Sequence, residues 1–447
     1  MANTSLRREV SVTGNRKIFT FSAWVKKTKI ADNQNIFSQY VGSGSANIAT
    51  HFRIRFQTTD ALAVATGGTD MLLTNAVYRD TNAWYHVVCA VDTTQSTADD
   101  RIKLYVNGEQ ITSFASRNNP SQDVDTVVNL AGSSHYPRIG ADDSDGAGPY
   151  NFFDGLMSHV HFIDGTAYPA STFGSTDSVT GQWQLNTDPS ITMGTNGFTI
   201  LKDGNTITDQ SANSNDFISL GAGVTNTEDN PSNIYCTFNP LIPQGLAYAN
   251  GNLSVTHNAS SWKTAYGTIA MSGTGKYYFE SKVSALGSYQ GIGIVDAEQI
   301  SASASKFGAV SRGYGYKNDG SKTNNNSDAS YGATYTTGDI IGCALDLTNG
   351  AIYFSKNGAW QNSATTGEIA AGTTTNAAYT SISSSYVYLP AVQIYGSGTN
   401  QFNVGNGFFG TTAVSSVQNP SSGDTSAKFE YTPPTGFQPI TTKGLNE

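Results

Sequence analysis

Apolar residues along this chain come in short alternating runs, and helical periodicity is almost absent. In "KIFTFSAWVKK", Ile18, Thr20, Ser22 and Trp24 fall on one face and Phe19, Phe21, Ala23 and Val25 on the other. That two-residue period predicts a strand. "AWYHVVCAVD" predicts a second, ending at Asp92, and "RIKLYVNGEQI" a third that folds back at Asn107-Gly108. Asn-Gly tolerates the positive φ angles of a type I′ hairpin turn. "FFDGLMSHVHFIDG" predicts a further strand closed by Asp164-Gly165.

A second strand-rich block begins near Leu246 with "GKYYFESKV", "GIGIVD" and "GYGYKNDG". Its most apolar stretch is "GDIIGCALDLTNGAIYFSKNGAW", from Gly338 to Trp360. Ile340, Gly342, Ala344 and Asp346 alternate with Ile341, Cys343, Leu345 and Leu347, so both faces are apolar. This predicts a central strand that holds two sheets together, turned back at Thr348-Asn349-Gly350 and again at Asn357-Gly358. "YLPAVQIY" is the last clear strand of the block. Between the blocks the strand density drops, so 173–245 reads as a connector with short strands. The prolines of "YTPPTGFQPITTKGLNE" argue against regular pairing, and 413–447 reads as a tail lying extended on a surface.

The expected fold is therefore all-β: two β-sandwich, jelly-roll-like domains, 1–172 and 246–412, joined by an irregular β-containing connector. The length of 447 residues suits two or three domains. Charged residues make up 13%, against a usual ~25%, which fits a turn-rich β protein with a polar surface. The net charge of −9 argues against a nucleic-acid backbone as partner. Arg7, Arg8, Arg16, Lys17, Lys26, Lys27 and Lys29 read as solvated strand ends. Cys89, Cys236 and Cys343 are too few and too scattered for a disulfide framework or a zinc site. The start "MANTSLRREV" has no apolar core of a signal peptide, and no run is long enough to insert in a membrane.

The search for chemistry is mostly negative. Retaining glycosidases need two carboxylates about 5–5.5 Å apart, but the glutamates here stand singly and no E-x-D-x-E strand occurs. Glu280 lies in an apolar strand, where a carboxylate pairs more often than it reacts. No G-x-S-x-G, P-loop or H-E-x-x-H occurs. His159 and His161 share a strand face, which reads as a polar outward face rather than a metal pair, and His86 reads as structural.

Two loops stand out. In "GADDSDGAGPYNFFDG", Asp142, Asp143 and Asp145 supply hard oxygen ligands that suit calcium, although an Asp/Gly loop is also simply a good turn. Tyr136 and Tyr150 flank it and are placed to stack on sugar rings. "KNDGSKTNNNSDASYG" (317–332) is a long polar loop whose Lys317, Asn318, Asp319, Lys322, Asn324 and Asn325 are candidate binding residues.

The segments "FTFSAWVK", "WYHVVCAVDTT", "RIKLYVNGEQI", "PRIGADD" and "FFDGLMSHVHFIDGTAY" occur in the order found in laminin-G-like, concanavalin-type jelly rolls, which residues 5–172 resemble. "GKYYFESKV", "GIGIVD", "GYGY", "GDIIGCALDLTNGAIYFSKNG" and "YLPAVQIY" resemble a SPRY domain. The joining "DQSANSNDF" and "EDNPSNIYCTFNPL" and the closing "FEYTPPTGFQPITTKGLNE" resemble sequences in virion proteins of tailed, especially marine, bacteriophages. That resemblance implies a non-enzymatic particle-surface protein, made in the host cytoplasm and carried on the virion. Its partners would be other virion proteins and a host-surface glycan or receptor, with homo-oligomerisation left open. A structural capsid decoration or connector protein is the alternative, and a polysaccharide-degrading enzyme the weakest reading.

Overall fold

The computed structural model describes residues 3–42, 47–132, 135–143, 148–242, 244–300 and 306–443. Their regular structure is nearly all β, as the alternating pattern requires; the one α-helix among them is the single-turn-scale Thr366–Ala371. The chain divides into two compact units, Met1–Asn226 and Thr227–Glu447.

The first unit is built from two large antiparallel sheets, with a two-stranded ribbon of Gly174–Thr176 and Trp183–Leu185 beside them. One orders Phe198–Ile200, Gly155–Asp164, Ile18–Lys27, Tyr85–Asp92, Ile102–Val106 and Glu109–Gln110. The other, of eight strands, centres on Ala61–Ala65, His51–Phe56, Gln34–Tyr40 and Pro137–Ile139. Phe19, Phe21, Ala23 and Val25 point into the core, as their alternation predicts. There Phe21 stacks on Phe37 at 4.9 Å and Phe19 meets Phe52 edge-on at 5.5 Å. Each such ring contributes about 1.5–3 kcal/mol by leaving water, and each ring pair roughly another 0.5–1.5. Asn107 and Gly108 take φ of 50° and 85°, making the expected turn.

The opposite face of Ile18–Lys27 is also dry: Thr20 and Ser22 are fully buried. Tyr168, Phe173, Trp183, Ile191 and Met193 cover that sheet face. All of these but Tyr168 lie in the stretch 173–245 expected to be a connector, but residues up to Asn226 belong to the first unit and those from Thr227 to the second. The pattern is weak there because a covering segment buries isolated anchors rather than every second residue. The same cover corrects the reading of His159 and His161, which are buried, not outward. Burial holds their imidazoles at about 4 and about 3, neutral at physiological pH. His86, likewise at about 3, stacks on Trp24 at 4.9 Å and accepts the Trp183 indole N–H at 3.0 Å.

Arg8, Lys26 and Lys27 are buried too, not solvated strand ends. Lys27 Nζ pairs with Asp60 at 2.7 Å and lies over the Phe56 ring.

The second unit is an eleven-stranded antiparallel arrangement organised by the sixteen-residue strand Tyr388–Asn403. Its first half pairs with Tyr289–Asp296 and its second with Lys276–Ala285, while Ser254–Tyr266 runs along the other edge. Ile340–Asp346 and Ala351–Lys356 pair in register, and Cys343, Leu345, Ile352 and Phe354 sit in the core. Asn357 and Gly358 make the second predicted turn with φ of 48° and 81°. All three cysteines are buried and free.

Two expectations for this unit are corrected. The tail is not an extended surface segment: Ala427, Phe429, Phe437 and Ile440 belong to the main core. Prolines prevent long ladders, yet single bridges such as Gln418 with Phe429 and Tyr277 with Gln438 tie the tail in. The polar stretch 317–332 is not a structureless loop either. It completes the strands Gly313–Lys317, Ser321–Asn324 and Ser327–Ser330. Asn325 and Asn326 turn the last pair at φ of 50° and 59°. The last two strands were hidden because "SKTN" and "SDAS" carry no apolar residue at alternate positions.

Candidate functional site

In the first unit the predicted residues converge on the face of the eight-stranded sheet opposite the core. His51, Arg53 and Arg55 alternate along one strand with the core residues Phe52, Ile54 and Phe56. Across the sheet Arg53 registers with Ser38, Ser38 with Arg138, and Arg138 with Arg7. The loop after Ile139 folds over this row, with Asp142 bridging to Tyr150.

Asp142 is fully buried, and its two oxygens accept from His51 Nε2 at 2.8 Å and Arg53 Nη1 at 2.9 Å. Burial alone would raise its carboxyl, but the hydrogen bonds and charges of His51 and Arg53 outweigh that and hold it low. Asp143 pairs with Arg138 at 2.7 Å. Tyr136 packs under the Arg7 guanidinium, 4.5 Å from the ring centre. Tyr150 is half-buried beside Asp142, and burial and that carboxylate push its phenol up to about 12. The two described aspartates of the calcium set are thus engaged by protein cations, and Asp145 lies outside the described residues. Among the described residues no group of three or more His, Cys, Asp or Glu side chains is placed to hold a metal ion.

In the second unit the predicted residues form the edge of the hairpin. Lys317 is buried and pairs with Asp328 at 2.7 Å and Asp319 at 3.1 Å. Asn318 Oδ1 accepts the Gln290 N–H, Lys322 Nζ donates to the Ala378 carbonyl, and Asn324 Nδ2 donates to the carbonyls of Ser311 and Gly313. These four side chains therefore build the edge; Asp319 and Asn325 are the exposed members.

Sequence reading missed what stands beside that edge. Trp262, Tyr395 and Tyr289 lie on three adjacent strands in one cross-strand row. Ile394, next to Tyr395, points into the core, so the row faces outward. The three rings close into a triangle with centroids 5.5, 5.9 and 6.1 Å apart. Tyr289 is 46% exposed, and Trp262 and Tyr395 are half-buried. Lys306 Nζ sits 5.7 Å from the Trp262 ring centre, and Lys317 Nζ 5.9 Å from that of Tyr289. The sequence signal was an aromatic residue immediately after an inward position, as in Ile394-Tyr395.

Residues 3–172 match the family described as the concanavalin A-like lectin/glucanases superfamily, and residues 276–407 match the SPRY domain. Among curated proteins, the Ran-binding proteins 9/10 homolog of Drosophila melanogaster is 34% identical over 125 residues, 25% of this chain and 13% of that protein. The ATP-dependent RNA helicase Ddx1 of the same organism is 34% identical over 97 residues, 22% of this chain and 13% of that protein. The chain thus spans about an eighth of the length of each. Among solved structures, the SPRY domain of human HERC1 is 18% identical with a TM-score of 0.29, covering 37% of this chain and 96% of that one. A SAP-like pentraxin from Limulus polyphemus is 16% identical with a TM-score of 0.30, covering 45% and 90%. A concanavalin-like domain and a SPRY domain are thus present.

Proposed function

We propose that this chain is a non-enzymatic binding protein of a bacteriophage particle surface, a tail or capsid fibre component that attaches to a host-surface glycan or receptor. The observation that carries the binding reading is the outward aromatic triangle Trp262–Tyr395–Tyr289 beside the exposed hairpin edge. Aromatic rings left half-exposed in this way offer a large contact area at little cost in side-chain entropy. The virion setting is supported by the resemblance of the joining and closing segments to phage virion sequences. Repetition of the chain on a particle would raise weak single-site affinity to firm attachment.

A decoration role on the capsid is the secondary reading. The test is antibody-gold labelling of purified phage particles against residues 246–412, with binding of the purified chain to host cells. Label on the tail or on fibres, together with retention on cells, is expected. Label spread evenly over the head without retention on cells would favour decoration, and absence of label from particles would sink the virion reading.

A further inference from the structure

We infer that the aromatic triangle is a glycan site selective for acidic sugars, in which a pyranose ring lies on Tyr289 and Trp262 and its carboxylate meets Lys306. The inference rests on the binding reading above and adds the chemistry of the ligand.

Three features support it. First, the aromatic surface is framed by the sheet: Trp262 and Tyr289 are near-parallel, at 27°, and flank Tyr395 in register, whose ring is tilted 51° and 60° to theirs. The faces of such rings carry partial negative charge and attract the weakly positive C–H groups of a sugar's apolar face. Second, Lys306 forms no ion pair or hydrogen bond among the described residues; its ammonium lies over the Trp262 ring and feels the Asp328 carboxylate only at longer range. A half-exposed cation held at an aromatic platform is a ready counter-charge for a ligand anion. Third, Lys317, the other cation at the triangle, is already matched by Asp319 and Asp328. Any ligand carboxylate is therefore directed to the Lys306 side.

The net charge of −9 gives no general attraction for polyanions. Selectivity must come from these contacts, and duplex DNA, an anion without an exposed pyranose face, should not bind.

The experiment uses the full chain against polygalacturonate, alginate and hyaluronate, each beside its carboxyl-reduced counterpart, with duplex DNA as control. Binding is read by tryptophan fluorescence and by retention on the immobilised polymer. At least one acidic polymer is expected to bind at least tenfold more tightly than its reduced form. Tyr289→Ala should weaken that binding tenfold or more. Lys306→Ala should abolish the preference for the acidic form with only a small change in melting temperature, since Lys306 holds no ion pair and contributes only its contact with the Trp262 ring. Equal binding of acidic and reduced polymers, equal binding of DNA, or indifference to both substitutions would overturn the inference while leaving glycan binding elsewhere on the chain intact. Failure to bind any polymer or host cells would overturn the binding reading with it.

Discussion

At the scale of single residues, the buried ionisable groups are the most informative. Glu280 is fully buried and accepts four hydrogen bonds: Oε1 from Tyr278 and the Tyr431 N–H, Oε2 from Asn403 and the Glu430 N–H. Burial pushes its carboxyl up to about 7 from 4.5, and the four donors keep it from rising further. A folded value above the unfolded one means that the native state holds the proton more tightly. Stability from this group is therefore greatest below pH 4.5 and declines as pH rises towards about 7. The whole decline is bounded at about 3 kcal/mol. Glu280→Gln should remove that slope. It should also destabilise the second unit by roughly 1–3 kcal/mol, because in either orientation the amide nitrogen would face at least one backbone N–H donor. Denaturant titrations of both proteins at pH 5 and 8 check this. The burial of Glu280 was legible from its apolar neighbours. Its partners were not, since Asn403 and residues 430 and 431 are remote in sequence.

At the scale of elements, two glycine alternations acquire a reason. "GIGIVD" and "GYGY" lie on neighbouring strands, with Gly293 opposite Gly315. A Cβ on Gly315 would sit 2.3 Å from the Phe307 ring, and one on Gly293 would sit 2.0 Å from the Tyr314 carbonyl oxygen. The absent side chains bring the two strands and the covering Phe307 together, where Phe307 packs with Tyr266, Val295 and Ala391. Gly293→Ala must push on backbone, not on a flexible side-chain end. It should cost about 1–3 kcal/mol, read as a lowered melting temperature. The turns Asn107-Gly108 and Asn357-Gly358 were legible because their chemistry is local. The outer strands Ser321–Asn324 and Ser327–Ser330 were not, because their polar residues show no hydrophobic period.

At the scale of the molecule, the chain consists of two compact units, and the closing segment completes the second. Phe429 and Phe437 are fully buried, and Asp424 accepts from Asn233, Tyr235, Ser426 and Lys443. Truncation after Ser416 should therefore abolish cooperative melting of the Thr227–Glu447 unit when that unit is expressed alone. Phe437→Ala, a milder probe, should cost about 3–5 kcal/mol. An unchanged melting curve for the truncated unit would contradict the core role of the tail.

The sequence by itself determined the strand pattern, the inward sets such as Phe19/Phe21/Val25 and Cys343/Leu345, the tight Asn-Gly turns and the all-β class. Each follows from the two-residue period and from local φ preferences, which are properties of neighbouring residues. Only the tertiary structure decided the rest. It buried His159, His161 and Lys27, divided the supposed connector, drew the tail into a core, and set Trp262, Tyr289 and Tyr395 in one row. Those outcomes depend on which strands pair and what covers each face. Such long-range contacts leave no period in the chain.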